Sequence, residues 1–189
     1  MKDIDEKELV RKIIEGNSDL FKQILIQNSK LVKLIVNRMI MNESLRTDIV
    51  QDIFIKVFVG LKKFRFESKL SSWIAAIAVN TCKKKWQTLK VKIDPIEDFA
   101  DILIPPSQEL GYGFHSKSEL NEIIEKAILQ LNPSARLIFS LFHQQDMTID
   151  QINQITSIPV GTIKSHLFRS RLYLKKILKI YCDNEKNVV

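Results

Sequence analysis

Residues 147–179 read MTIDQINQITSIPVGTIKSHLFRSRLYLKKILK, and this stretch decides the fold class. Thr148 followed three positions later by Gln151 is a capping box, so a helix starts there with Ile149, Ile152 and Ile155 turned inward. Ser157-Ile158-Pro159 stops it, and Pro159 presets the backbone for the first turn of the next helix. Val160, Ile163, Leu167, Leu174, Ile177 and Leu178 mark the buried side of that second, longer helix. A short helix, a tight turn and a longer helix form the helix-turn-helix layout. From Val160 to Ile180 the second helix carries Lys164, Arg169, Arg171, Lys175, Lys176 and Lys179, and no acid. At about 100° per residue, Lys164, Phe168, Arg171 and Lys175 share a stripe away from the buried row, flanked by Ser165, Arg169 and Lys176. Base edges are read from a helix's first turns and phosphates by exposed cations. Thr162, Lys164, Ser165, His166, Phe168, Arg169 and Arg171 are therefore the expected DNA contacts. The plain alternative is a solvated cationic face, with Phe168 and Leu172 as packing.

Working outward, the other periodicities are also helical. Ile49, Val50, Ile53, Phe54, Val57, Phe58 and Leu61 recur at three and four, leaving Asp48, Gln51, Asp52 and Lys56 on the remaining faces. Leu9, Ile13, Phe21, Ile24, Leu25, Leu31, Leu34 and Ile35 predict earlier helices broken near Gly16-Asn17. Trp73, Ile74, Ile77 and Ala78 mark another. Leu120, Ile123, Ile124, Ala127, Ile128 and Leu131 predict one that stops at Asn132-Pro133. Strand-like alternation does not persist over a useful length. The expectation is an all-α chain of two small helical domains, residues 1–87 and 119–189, joined by a flexible linker over 88–118. That linker carries Pro95, Pro105, Pro106, Gly111 and Gly113 without periodicity.

Composition narrows the function. The 189 residues carry 29 Lys and Arg against 22 Asp and Glu, a formal charge of +7, which calls for a polyanionic partner. Between Lys56 and Lys92 the only acid is Glu67, and Phe58, Phe64, Phe66, Trp73 and Trp86 are interleaved with the cations. Cations that track a backbone and aromatics on which bases stack are what single-strand binding requires. Taken singly, Phe58 and Trp73 also read as core. Cys82 and Cys182 form no CxxC pair or Cys/His cluster, and no Gly-rich phosphate loop is present, so no metal or cofactor is expected. Free thiols, an N-terminus of alternating charge and the lack of a long apolar run predict a cytoplasmic protein that does not insert in a membrane itself.

DIVQDIFIKVFVGLKKF (residues 48–64) resembles the second conserved region of bacterial sigma factors, which grips core RNA polymerase. FESKLSSWIAAIAVNTCKKKW (66–86) is similar to the adjoining segment, which opens the promoter and holds the non-template strand. LNPSARLIFSLF (131–142) and the helix-turn-helix stretch resemble the fourth region, which reads the upstream promoter element. Two such regions with a short linker between them resemble the extracytoplasmic-function (ECF) group of the sigma-70 family. PVGTIKS alone occurs in other helix-turn-helix regulators; the ordered pair of regions is the specific signal.

The resemblance implies roles by position. Asp48, Gln51, Asp52 and Lys56 are expected to meet the clamp coiled coil of core RNA polymerase, with the flap as a second contact. Phe64 to Ser71, including Phe66, Glu67 and Ser68, corresponds to the loop that captures a flipped base of the minus-ten element. Trp73 and Asn80 match positions flanking that loop, and Lys83 to Lys85, Lys84 among them, are expected on phosphates. Lys164, Phe168, Arg169 and Arg171 match recognition-helix contacts to the minus-thirty-five element. His166 stands where many relatives carry arginine. Promoter DNA, core polymerase and an anti-sigma factor are the partners implied, the last being a route to the membrane. A melted base offers its Watson–Crick edge only outside the duplex, which agrees with a pocket beside stacking aromatics.

Other classes fit less well. His115, His143 and His166 fall in the linker, a helix and the basic helix, and no nucleophile–base constellation surrounds them, so catalysis is not expected. An ordinary DNA-binding regulator with a dimerising first half would bind duplex without polymerase. A sigma-mimicking decoy would have lost the basic helix, which is intact here.

Overall fold

The computed structural model describes residues 5–89 and 117–185, and these contain eight α-helices, three short 3-10 turns and no strand. The linker expected over 88–118 therefore lies almost wholly outside the described residues. No helix among those described is long and apolar enough to cross a membrane.

The first half is a bundle of four helices. α1 (Glu6–Ile14) buries Leu9, Val10 and Ile13. Gly16 follows at φ +116°, a left-handed conformation that glycine adopts without steric cost, and this turns the chain at the predicted break. α2 (Phe21–Met39) runs through the middle and buries Ile24, Leu31, Val32, Ile35 and Val36. It packs on α3 (Arg46–Gly60), on α4 (Leu70–Leu89) and on a helix of the second half. At the end of α3 a Cβ on Gly60 would stand 3.1 Å from the Trp73 ring, so glycine lets α3 and α4 approach there. Cys82 is fully buried in α4, and burial pushes its thiol up to about 12, against a small opposing pull from Lys56. It is an inert core residue.

One contact in this half orders α4 from far away. The Leu70 amide, an orphan donor at the helix N-terminus, donates to Glu6 Oε1 at 3.0 Å, from a residue 64 positions earlier. Cap loss costs about 0.5–2 kcal/mol, so Glu6→Gln is expected to keep the fold and Glu6→Ala to lower unfolding stability by that range in urea titration. An Ala variant as stable as the parent would remove the cap from the account.

The second half has α5 (Lys117–Gln130), α6 (Pro133–Gln144), α7 (Ile149–Thr156) and α8 (Val160–Glu185). Asn132 caps α6 by accepting from the Ala135 amide at 2.8 Å, and Pro133 takes the first helical position, where its missing N–H is not needed. The capping box on α7 is present in both directions: Thr148 N–H donates to Gln151 Oε1 at 2.8 Å and Gln151 N–H to Thr148 Oγ1 at 3.2 Å. Ser157 ends α7 at φ +59°. Pro159 stands just before α8, its carbonyl accepting from Ile163 N–H at 2.9 Å.

The cores are distributed in a way that two separate domains do not require. Ala127, Ile128, Leu131, Ala135, Tyr173, Leu174 and Ile177 form a cluster local to the second half. The larger cluster runs continuously from Leu9 through Ile24, Ile53, Ile74 and Cys82 into Leu137, Ile138, Leu141, Ile152, Ile163 and Leu167. α2 lies on α6 and α4 lies on α7, so the halves share one apolar interior.

Candidate nucleic-acid interface

On α8, Lys164, Ser165, Phe168 and Arg169 are exposed and Thr162 is half-buried, all within the first three turns. Phe168 is 63% exposed, an arrangement that fits an apolar contact to a partner better than packing. Among the described residues Lys164 makes no ion pair, and its ammonium is available to an anion. The capping box, the left-handed turn at Ser157 and the Asn153 amide donating to the Ile158 carbonyl at 2.8 Å set the angle at which α8 leaves α7.

Two residues of this set are placed differently from the sequence expectation. His166 is buried at 5% exposure, on the side of α8 turned away from the exposed Lys164 and Phe168. The helical wheel carries this signal: at about 100° per residue, His166 falls about 20° from Tyr173 and about 40° from Ser170, both buried. Arg171 is exposed but bends onto α6, where Nε donates to His143 Nε2 at 3.3 Å and the guanidinium lies 5.4 Å from the Phe142 ring. It rims a groove of about 610 Å³ with Phe139, Leu174, Lys175, Leu178 and Lys179.

Burial, and then the Arg169 charge, lower the His166 pKa below the ordinary value of 6.5. The folded state thus binds fewer protons than the unfolded one, so the stability contribution is present above pH 6.5 and is lost as pH falls below it. His143 is shifted in the same direction by burial and Arg171. Unfolding stability is expected to fall on acidification from neutral pH, with His166→Gln reducing that slope. An unchanged slope in the variant would show that His166 does not titrate differently on folding.

At the other end, the loop between α3 and α4 sorts its aromatics. Phe64 is buried at 8% exposure, its ring 5.0 Å from Trp73 and 4.7 Å from Phe66. Phe64, expected on a single strand, thus has its ring packed between Trp73 and the core. Phe66 is at φ +57° and 36% exposed, presenting its ring outward. Lys7 Nζ lies 5.9 Å from its centroid, a cation that the sequence reading did not single out. Glu67, Ser68 and Asn80 are exposed, as are Lys84, Lys85 and Trp86 along α4, while Trp73 is half-buried. Lys83 is half-buried and donates to the Thr156 carbonyl at 2.7 Å.

The polar side of α3 is a third surface. Asp48 and Gln51 are exposed, Asp52 is half-buried, and Lys56 donates to Thr81 Oγ1 at 3.2 Å. Phe58, which continues the apolar stripe, is exposed, and with Val50, half-buried against the core, it lines an open apolar groove of about 670 Å³ that Leu25, Ile26, Phe54 and Ile55 complete. Phe58 meets Phe21 edge-on at 5.0 Å. No group of three or more His, Cys, Asp or Glu side chains among the described residues could hold a metal ion.

Comparison with known proteins agrees with this layout. A family model described as Sigma-70 region 2 matches residues 25–90, and one described as Sigma-70, region 4 matches residues 121–174. The chain is 28% identical to the ECF RNA polymerase sigma factor SigW of Bacillus subtilis over 187 residues, covering 92% of this chain and 96% of that protein. It is 27% identical to the ECF RNA polymerase sigma-E factor of Haemophilus influenzae over 179 residues, covering 89% and 92%. Among solved structures, the sigma factor RpoE of Bartonella quintana, in complex with the anti-sigma factor NepR, is similar at TM-score 0.63 and 22% identity, over 85% of this chain and 97% of that one. CnrH in complex with the cytosolic domain of CnrY is similar at TM-score 0.63 and 16% identity, covering 91% and 96%.

Proposed function

Given that this chain belongs to the sigma-70 family, with the two-region layout of its ECF members, we propose that it directs promoter-specific transcription initiation by carrying core RNA polymerase to promoter DNA. One observation carries the reading: region 2 and region 4 stand in order on one chain, and the second ends in a helix that carries Lys164, Arg169, Arg171, Lys175, Lys176 and Lys179 and no acid between Val160 and Ile180. The chain acts by binding, with no catalytic role of its own, and its place is the cytoplasm.

Thr162, Lys164, Ser165, Phe168 and Arg169 are the proposed contacts to the upstream duplex element. Phe66, Glu67, Ser68, Trp73, Asn80, Lys83 and Lys84 are those to the melted downstream strand, with Lys7 beside Phe66 and Phe64 as support beneath. Unstacking a base costs a few kcal/mol, offset by stacking on an exposed aromatic and by cations on the backbone. Asp48, Gln51, Asp52 and Lys56 are the proposed polymerase contacts, residues 1–87 and 119–189 the functional units, and an anti-sigma factor a further partner. The similar RpoE of Bartonella quintana is seen in complex with the anti-sigma factor NepR, and CnrH with the cytosolic domain of CnrY.

The direct test is co-purification with bacterial core RNA polymerase, followed by transcription from a library of promoter fragments. Stable capture with transcription from a two-element promoter is expected. Duplex binding without affinity for core enzyme would favour the ordinary regulator. Asp52→Arg reverses a charge on the polar side of α3 without touching the apolar core, so it is expected to weaken capture of core enzyme several-fold while leaving the circular dichroism spectrum unchanged. Equal capture would remove Asp52 from the interface.

A further inference from the structure

The loop between α3 and α4 is met from outside by α1, through two consecutive residues. Glu6 Oε1 accepts from the Leu70 amide at 3.0 Å, where the loop ends and α4 begins. Lys7 Nζ stands over the Phe66 ring in the middle of the loop, 5.9 Å from its centroid. Leu9, Val10 and Ile13 are buried in the large core, so α1 is anchored and presents both side chains from a fixed place. Phe66 needs such support. Its φ of +57° lies in the left-handed region, which is uncommon for a residue with a Cβ. The Phe64 ring flanks it at 4.7 Å, and the 36% of Phe66 that stays exposed is the surface open to a stacked base.

The acids nearest Lys7 along α1 are already committed. Glu8 is paired with Arg11 at 2.8 Å and with Lys12 at 3.4 Å, and Glu6 serves the Leu70 amide. Lys7 itself is exposed and makes no ion pair among the described residues. Lys62, Lys63, Arg65 and Lys69, in or beside the loop, are exposed as well, and Glu67 is the loop's one acid. The ring quadrupole holds the Lys7 ammonium at Phe66 while leaving its charge unneutralised. A nucleotide whose base stacks on that ring carries its phosphate at the ring's rim, within reach of an ammonium on a flexible four-carbon stem.

We propose that α1 is part of the single-strand site: Lys7 holds the phosphate of the nucleotide stacked on Phe66, and Glu6 is a positioning residue that fixes the loop by capping α4. The inference rests on the reading of this loop as the contact to the melted strand. Each phosphate contacted on a single strand contributes about 0.7 to the slope of log affinity on log salt. Taking the contact to vanish near about 1 M salt, its loss amounts to about 5-fold in affinity near 0.1 M.

Lys7→Gln removes the charge at an exposed position and is expected to leave helical content by circular dichroism unchanged; Lys7→Arg keeps the charge. Each variant is bound to core RNA polymerase and titrated with a promoter fragment pre-melted over the downstream element, across a series of salt concentrations. Lys7→Gln is expected to lose about 5-fold in affinity near 0.1 M salt and about 0.7 from the magnitude of the slope, and Lys7→Arg to retain both. Glu6→Ala is expected to bind more weakly than Glu6→Gln, which also lacks the charge but keeps an acceptor for the Leu70 amide, at equal slope. A Lys7→Gln slope equal to the parent's would overturn the phosphate contact even if affinity falls, because a cation that only steadies the Phe66 ring changes affinity without the slope. Equal affinity of Glu6→Ala and Glu6→Gln would remove the positioning role. Failure of the parent to capture core polymerase would count against the sigma-factor reading, and the same slopes, measured on the whole chain with labelled single-stranded oligodeoxythymidine, would then decide the Lys7 contact. A parent that binds neither probe would overturn it.

Discussion

Lys164→Ala is expected to cost about 1–3 kcal/mol in binding of the polymerase complex to the upstream element, roughly 5- to 150-fold, if its ammonium reads a base. The residue stands in the second turn of α8, exposed, with no ion pair to another described residue, so the change removes neither packing nor a structural salt bridge. The loss is to be measured with core enzyme present, on promoter fragments varied one base pair at a time and over a series of salt concentrations. A base-reading lysine loses discrimination at one position. A phosphate anchor weakens every fragment about equally and lowers the magnitude of the salt slope by about one. Unchanged affinity on all fragments would remove Lys164 from the interface and leave α8 as a solvated cationic face.

The second large effect separates fold from function along α3. Ile53 is fully buried in the large core, whereas Ile55, two positions on, is 62% exposed in the apolar groove. Truncating a buried isoleucine loses transfer free energy and leaves a cavity, so Ile53→Ala is expected to lower unfolding stability by about 2–5 kcal/mol in urea titration. Ile55→Ala loses contacts that water already reaches and is expected to stay within about 0.5 kcal/mol of the parent. If the polar side of α3 and this groove form one polymerase-binding surface, Ile55→Ala weakens capture of core enzyme at unchanged stability. A strongly destabilised Ile55→Ala with intact capture would reverse the assignment of the two faces.

The helix-turn-helix was legible because its signals act over three or four residues. Thr148 and Gln151 satisfy each other's amides, Ser157 takes the left-handed turn, and the Ile163–Leu167–Leu174 row follows the helical repeat. His166, expected among the DNA contacts, is buried beside Tyr173 and Ser170, a position that its wheel angle carries and its polar residue type masks. Phe64 and Phe66 were not separable in this way. They lie two apart in an irregular loop with no period, and which ring points inward depends on the position of Trp73 and on the positive φ of Phe66. Val50 and Phe58 continue the apolar stripe of α3 yet line an open groove, because periodicity defines a face but not what covers it.

By itself, then, the sequence determined an all-α chain, the order of its two functional regions, the capped helix pair and the cationic face of α8. Each rests on backbone capping, helical period or charge count, which need no knowledge of distant residues. Only the tertiary structure decided that α2 lies on α6 and α4 on α7, that Arg38 meets Ser140 from 102 positions away, and that Glu6 caps α4. Arg38 extends the buried row of Leu31 and Ile35 and so breaks the apolar pattern, but the break alone names no partner. Which surfaces meet depends on the complementarity of whole helices in three dimensions, and the buried charge marks where they do.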